Sequence, residues 1–201
     1  MYLSNKKDPA QTVSKIMIVL SDILKRSERK RVLQMIKIRE KRRIGLMEEY
    51  KKCLDVMSEL FAKDFTFNLA TAKENCPSVR VVDTFYDNEV FWIVTYAKSN
   101  KVKELEVNPN VALCNNLYSF TGKAYNAGHP LDKANKEIRD KLIIVFKNWY
   151  FLHNNEDDKN MCYVKFVPES GFFYKDSTGF KVDFLNKEVE KFPFESHIEG
   201  I

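Results

Sequence analysis

The chain has 201 residues, 44% of them hydrophobic, which is enough for one substantial core. Its longest apolar runs, IMIVL at 16–20 and LIIVF at 142–146, fall far short of the ~20 residues of a membrane span, and no signal peptide is evident. Four cysteines, Cys53, Cys76, Cys114 and Cys162, show no CxxC or other metal-ligand spacing and read as the reduced thiols of a cytoplasmic protein.

The formal charge of +5 is unevenly placed. Residues 1–46 hold 13 Lys or Arg against 4 Asp or Glu, and residues 47–201 hold 20 against 24, so a basic segment (net +9) precedes a mildly acidic body (net −4). Of the 26 aromatic residues only Tyr2 precedes residue 47. The expected organisation is a basic helical extension over 1–46, a domain over 47–190 and a C-terminal tail over 191–201.

In the extension, Val13, Ile16, Met17, Leu20, Ile23 and Leu24 fall at helix spacing, followed by the basic run KRSERKRVLQMIKIREKRR. Three readings apply. A nucleic-acid arm would use the basic run for phosphate contacts, but no stacking aromatic or helix-turn-helix spacing accompanies it, so nucleic acid is not the expected partner. A solvated helix packing on the body is the second. The third is that translation begins at Met47: one codon choice for Lys41-Arg42-Arg43, AAA AGG AGG, spells a bacterial ribosome-binding sequence three codons upstream, and 1–46 is then a non-native or disordered tail.

From Met47, the stretch MEEYKKCLDVMSELF places Tyr50, Cys53, Leu54, Met57, Leu60 and Phe61 on one face of an amphipathic helix. Strands are predicted at 65–71, where Phe65, Phe67 and Leu69 alternate inward, at 78–85, and after an Asp87-Asn88 turn at 89–95. A short helix at about 101–107 ends at Asn108-Pro109-Asn110, and strands follow at 111–117 and 119–126. PLDKANKEIRDKLIIVFKNWYF predicts one helix over 130–151, with Ile138, Leu142, Ile143, Phe146 and Trp149 at helix spacing. Strands at 161–168, 171–175 and 179–184 complete the pattern. Strands joined by short turns, with few helices, predict a mainly β fold with helices, built on a closed or partly closed barrel.

The loop between the strand at 89–95 and the next helix carries Ser99, Asn100 and Lys101: a hydroxyl, an amide and an ammonium at a helix start, chemistry suited to a phosphate. A solvated loop with an N-capping serine would read the same way. Arg80 sits inside the apolar strand Val79–Val82, and must reach solvent at a barrel rim, pair with a carboxylate, of which Asp83 is nearest, or meet an anionic ligand. His129, His153 and His197 show no ligand spacing, so no metal is expected. No nucleophile elbow, Walker loop or G-x-G-x-x-G is present.

Taken together, FNLAT, PSVRVVDTF, EVFWIVTYAKSNKVKELEVNPNVALCN and FTGKAYN resemble the FMN-binding split-barrel family that includes pyridoxamine 5'-phosphate oxidase, over about residues 47–185. The resemblance rests on Arg80, then Thr95, Ser99 and Lys101, then Asn108-Pro109 and a strand with Ala112 and Leu113. It implies a six-stranded split barrel that dimerises and binds one FMN in each of two clefts between subunits. Arg80, Ser99 and Lys101, with Asn100 beside them, would hold the FMN phosphate, and the backbone of Arg80, Val81, Val82 and Asp83, with Val94 and Thr95, would line the ring and ribityl chain. Trp149 and Tyr150 supply apolar surface for a homodimer.

The chain also departs from the oxidase. Phe85 stands where the oxidase carries a substrate-phosphate lysine, Asn100 replaces a cation, and the oxidase's C-terminal Arg-His motif has no counterpart in KEVEKFPFESHIEGI. Oxidation of pyridoxamine phosphate itself is therefore not expected. The expectation is an FMN-dependent oxidoreductase acting on a small molecule, with no side-chain acid or base required for hydride transfer. The alternative is a non-catalytic split-barrel carrier of FMN, haem or a deazaflavin.

Overall fold

The computed structural model describes residues 26–195, so the helix expected at 13–24 and His197 lie outside the described residues. The chain divides into two compact units, Met1–Leu46 and Met47–Ile201. Helix α1 (Arg26–Phe61) starts well before the expected position near Glu48. The basic run is helical because Arg, Lys, Glu, Leu, Met and Ile are all good or tolerable helix formers and no proline interrupts them. Gly45 is the one weak former, and open space surrounds it.

In the second unit, the end of α1 buries Tyr50, Cys53, Met57 and Phe61, a stripe at three- and four-residue spacing. Phe61 is the hub of the core. Its ring lies 5.0–6.2 Å from those of Phe65, Phe67, Phe91, Tyr118, Phe120 and Phe173. Most of these contacts are edge-on or tilted, as ring quadrupoles favour.

Eight antiparallel strands surround this core: β1 (Phe65–Lys73), β2 (Cys76–Asp87), β3 (Val90–Tyr96), β4 (Asn110–Asn115), β5 (Tyr118–Gly128), β6 (Met161–Lys175), β7 (Thr178–Asp183) and β8 (Glu188–Pro193). The order is β3-β2-β1-β4-β5-β6-β7-β8, and β3 also pairs with β6. Six strands thus close the barrel, and β7 and β8 extend it. Helix α2 (Asn100–Val107) follows β3 and buries Val102 and Leu105.

Three further boundaries differ from the sequence reading. The predicted strands at 161–168 and 171–175 are one strand, β6, with a register shift opposite Thr121/Gly122 in place of a turn. A Cβ on Gly171 would come 2.3 Å from the Phe120 ring, and one on Gly122 would come 2.2 Å from the Val167 carbonyl oxygen, so these glycines let the two strands stay paired through the bulge. The tail expected from 191 also begins inside an element: β8 runs to Pro193, and Phe192 stacks on Phe172 with the rings 6.1 Å apart.

The helix predicted over 130–151 is divided into a 3-10 turn (Lys133–Asn135), α3 (Lys136–Val145) and α4 (Tyr150–His153). Ile138, Leu142, Phe146 and Tyr150 are all buried in a second cluster and lie four residues apart. On a continuous helix each such step drifts by about 40°, which would turn Tyr150 out of that cluster. The chain unwinds after Val145, and Tyr150 instead reaches Tyr163 and Glu156. Tyr150 is therefore core rather than surface, while Trp149 stacks on Phe146 at 4.4 Å and donates to Asp64.

Candidate functional site

The split in the barrel lies between β2 and β3. These strands pair only at Phe85↔Trp92, Tyr86↔Phe91 and Asp87↔Val90, after which they separate. Residues 80–84 of β2 keep their pairing with β1 on the other side, and β3 keeps its pairing with β6, so the edges facing each other across the gap carry backbone groups with no strand partner. Arg80 to Asp83 lie along one edge, and Val94 and Thr95 along the other.

Alternation sorts these side chains. Val82 and Thr95 point inward and are buried, and Arg80 shares the inward face nearer the mouth. Val81 and Asp83 take the outer face of β2, where Val79 and Val81 are each 66% exposed, and Val94 takes the outer face of β3 against the second cluster. The cofactor residues expected from the sequence are thus brought to one gap but divided between its two faces, with Val81, Asp83 and Val94 reaching it through their backbone.

Helix α2 closes one end of the gap. Lys101 Nζ donates to Thr95 Oγ1 at 3.0 Å, and among the described residues no carboxylate lies within ion-pair distance of it. Burial, with the neighbouring Arg80 charge, pulls its pKa below the usual lysine value. Ser99 is the N-cap residue of α2, yet its hydroxyl makes no capping bond. Its Oγ is buried with no hydrogen-bond partner. An unsatisfied buried hydroxyl costs about 1–3 kcal/mol unless something fills the role. Asn100 is exposed beside it.

Arg80 does not pair with Asp83, which instead accepts from Thr66. Its Nη2 bonds Glu104 Oε2 at 2.8 Å, and its Nη1 bonds the Thr71 hydroxyl. Thr71 in turn donates to Glu104, and Ser78 Oγ donates to Glu104 Oε1 at 3.2 Å. Hydrogen bonds, that from Thr71 foremost, hold the Glu104 carboxyl below the usual carboxylate range. Thr71, Ser78 and Glu104 were not singled out in the sequence. The available signals were weak: Thr71 and Ser78 are register partners two positions along from Leu69↔Arg80, on the same face, and Glu104 follows Lys101 by three residues on the same helix.

The residues present suit a phosphorylated ligand: two cations, an unpartnered hydroxyl and a helix start converge at an open strand edge. From Leu54 to Tyr174, more than half of its length, the chain matches the family model described as pyridoxamine 5'-phosphate oxidase. The chain belongs to the pyridoxamine 5'-phosphate oxidase family. The match takes in β1 to β5, α2 and nearly all of β6, so family membership covers the closed barrel and the gap, while β7 and β8 lie beyond the matched segment. This family includes flavin-dependent oxidoreductases.

Among solved structures, the chain is similar to General Stress Protein 26 from Bacillus anthracis, with 21% identity over 57% of this chain and 88% of that one and a TM-score of 0.43. It is also similar to a NimC/NimA family protein from Clostridium acetobutylicum, with 19% identity over 75% and 98% of the two chains and a TM-score of 0.46. A pyridoxamine 5'-phosphate oxidase-related, FMN-binding protein from Nostoc punctiforme shows 12% identity over 65% and 87%, with a TM-score of 0.42. No curated protein matches the chain significantly. Among the described residues, no helix is long and apolar enough to cross a membrane, and no cluster of His, Cys, Asp and Glu could hold a metal ion. The four cysteines are free.

Proposed function

We propose that this member of the family is a cytoplasmic flavoprotein that binds FMN in the gap between β2 and β3 and oxidises or reduces a small molecule. The observation that carries the reading is the buried, unpartnered Ser99 hydroxyl at the start of α2, flanked by Lys101 and with Arg80 close enough to depress the lysine's pKa. A phosphate oxygen there would satisfy the hydroxyl and neutralise the cations. Lys101 and Ser99 would hold the phosphate, with Arg80 adding charge, and the free backbone edges at 80–83 and 94–95 would meet the polar rim of the ring. Bound flavin supplies a hydride or electron acceptor at its ring, while the chain contributes position and charge.

Pyridoxamine phosphate is not the substrate proposed, because Phe85, at the position of the oxidase's substrate lysine, is buried in the second cluster and offers no cation. The test is titration with FMN and with riboflavin, followed by turnover with NAD(P)H. FMN should bind at least tenfold tighter than riboflavin. Equal affinity would remove the phosphate site, and FMN binding without any turnover would favour the carrier reading.

A further inference from the structure

The Arg80 guanidinium is already engaged. One terminal nitrogen bonds Thr71, the other bonds Glu104 at 2.8 Å, and Thr71 donates to the same carboxylate, so Arg80, Thr71 and Glu104 form a closed ring of hydrogen bonds. Ser78 adds a further donor to Glu104. Lys101, whose hydrogen-bond partner is the Thr95 hydroxyl, makes no such ion pair among the described residues.

We propose that Glu104 is a built-in competitor for the phosphate: it occupies the fork of Arg80, leaves Lys101 and Ser99 as the direct grip, and so keeps the flavin nucleotide an exchangeable ligand rather than a permanently held one. The inference rests on the FMN reading above. Its basis is charge and geometry together. Arg80 and Lys101 bring two positive charges to the mouth of the gap and Glu104 removes one, so a phosphate dianion meets a net charge of about +1 where the two cations alone would offer about +2. The end of a guanidinium that best matches a phosphate, its two terminal N–H groups side by side, is the end that Glu104 and Thr71 have taken. The carboxylate is held by three donors on two strands, which keeps it in place and ionised.

A plain structural role, tying α2 to β1 and β2, predicts the opposite response to neutralising this residue. Calorimetric titration of FMN and riboflavin into the native chain and the Glu104→Gln variant separates the two, with flavin retained through gel filtration as a second readout. The expected result is FMN bound roughly threefold to tenfold tighter by the variant, the scale of one unit charge at a partly buried, water-accessible site, with riboflavin affinity unchanged and more flavin retained. FMN affinity that is unchanged or lower in the variant overturns the proposal, as does a parallel change in both ligands. Should the glutamine variant not fold, Glu104→Ser, smaller and also neutral, gives the same readout. If neither folds, the contact is structural and the proposal fails. A native chain that does not distinguish FMN from riboflavin is a different result: it removes the FMN reading, and this inference with it.

Discussion

Lys101 Nζ donates to Thr95 Oγ1 across 3.0 Å, tying the first turn of α2 to the inward face of β3 at the end where β3 has left β2. The contact keeps an ammonium half-buried with no carboxylate at ion-pair distance among the described residues, beside a second cation, an arrangement with an unfavourable electrostatic component. Lys101→Met should therefore lower FMN affinity about tenfold to a hundredfold, the loss of one charge-assisted contact, without lowering the thermal midpoint of the unliganded protein. Titration and a melting curve on the same sample test both halves.

Ser99→Ala should separate stability from binding in the same way. Removing a buried hydroxyl that has no partner should raise the thermal midpoint of the unliganded chain by about 2–4 °C, the equivalent of ~1 kcal/mol in a domain of this size, while weakening FMN and sparing riboflavin. A lower midpoint would mean that the hydroxyl is satisfied in solution.

Acid should act through Glu156. Arg139 grips it with two bonds of 2.8 and 2.7 Å, Tyr150 donates to it at 2.9 Å, and the Arg139 bond is the main cause of its lowered pKa. A carboxylate with a depressed folded-state pKa contributes stability that is fully present above its unfolded value, about 4.3, and is lost as pH falls through the folded one. Glu156→Gln should cost about 1–3 kcal/mol at pH 7 and flatten the fall in stability below about pH 4.3. Urea unfolding across pH 3–7 measures both effects.

A homodimer is proposed from the outer face of β2, where Val79 and Val81 stand 66% exposed at the rim of the gap. Light scattering should give twice the chain mass, and Val81→Glu should shift it toward the monomer. A native monomer that binds FMN normally would exclude a site shared between subunits.

A chain beginning at Met47 should fold and bind FMN with nearly unchanged affinity, since among the described residues every buried side chain of α1 lies beyond that point. Its thermal midpoint should move by no more than a few degrees. Aggregation or loss of FMN binding would show that residues before Met47 belong to the fold.

Much of the barrel was legible because β1, β3, β4 and the first half of β5 alternate cleanly and the strands turn at Asn, Asp and Pro. The ends of the fold were not. In β8, EVEKFP offers only Val189 and Phe192 as half-buried positions among charges and a proline, so its pairing with β7 is visible only once both strands exist. Arg80, Thr95, Ser99 and Lys101 were readable as a set, but the Arg80 partner was not, because Glu104 lies on a helix that only the closed fold brings to β2. The unbroken helix expected over 130–151 followed local propensity, and the need to bury Tyr150 overrode it.

The gap between β2 and β3 also bears on how the chain behaves in solution before it meets a ligand. Two strand edges that carry unpaired backbone donors and acceptors, one of them flanked by exposed valines, form a template on which an extended segment of another molecule can add. A flavin seated there would cover both edges at once. Flavin supply during expression should therefore govern yield as well as colour, with cells starved of riboflavin sending more of this chain into inclusion bodies.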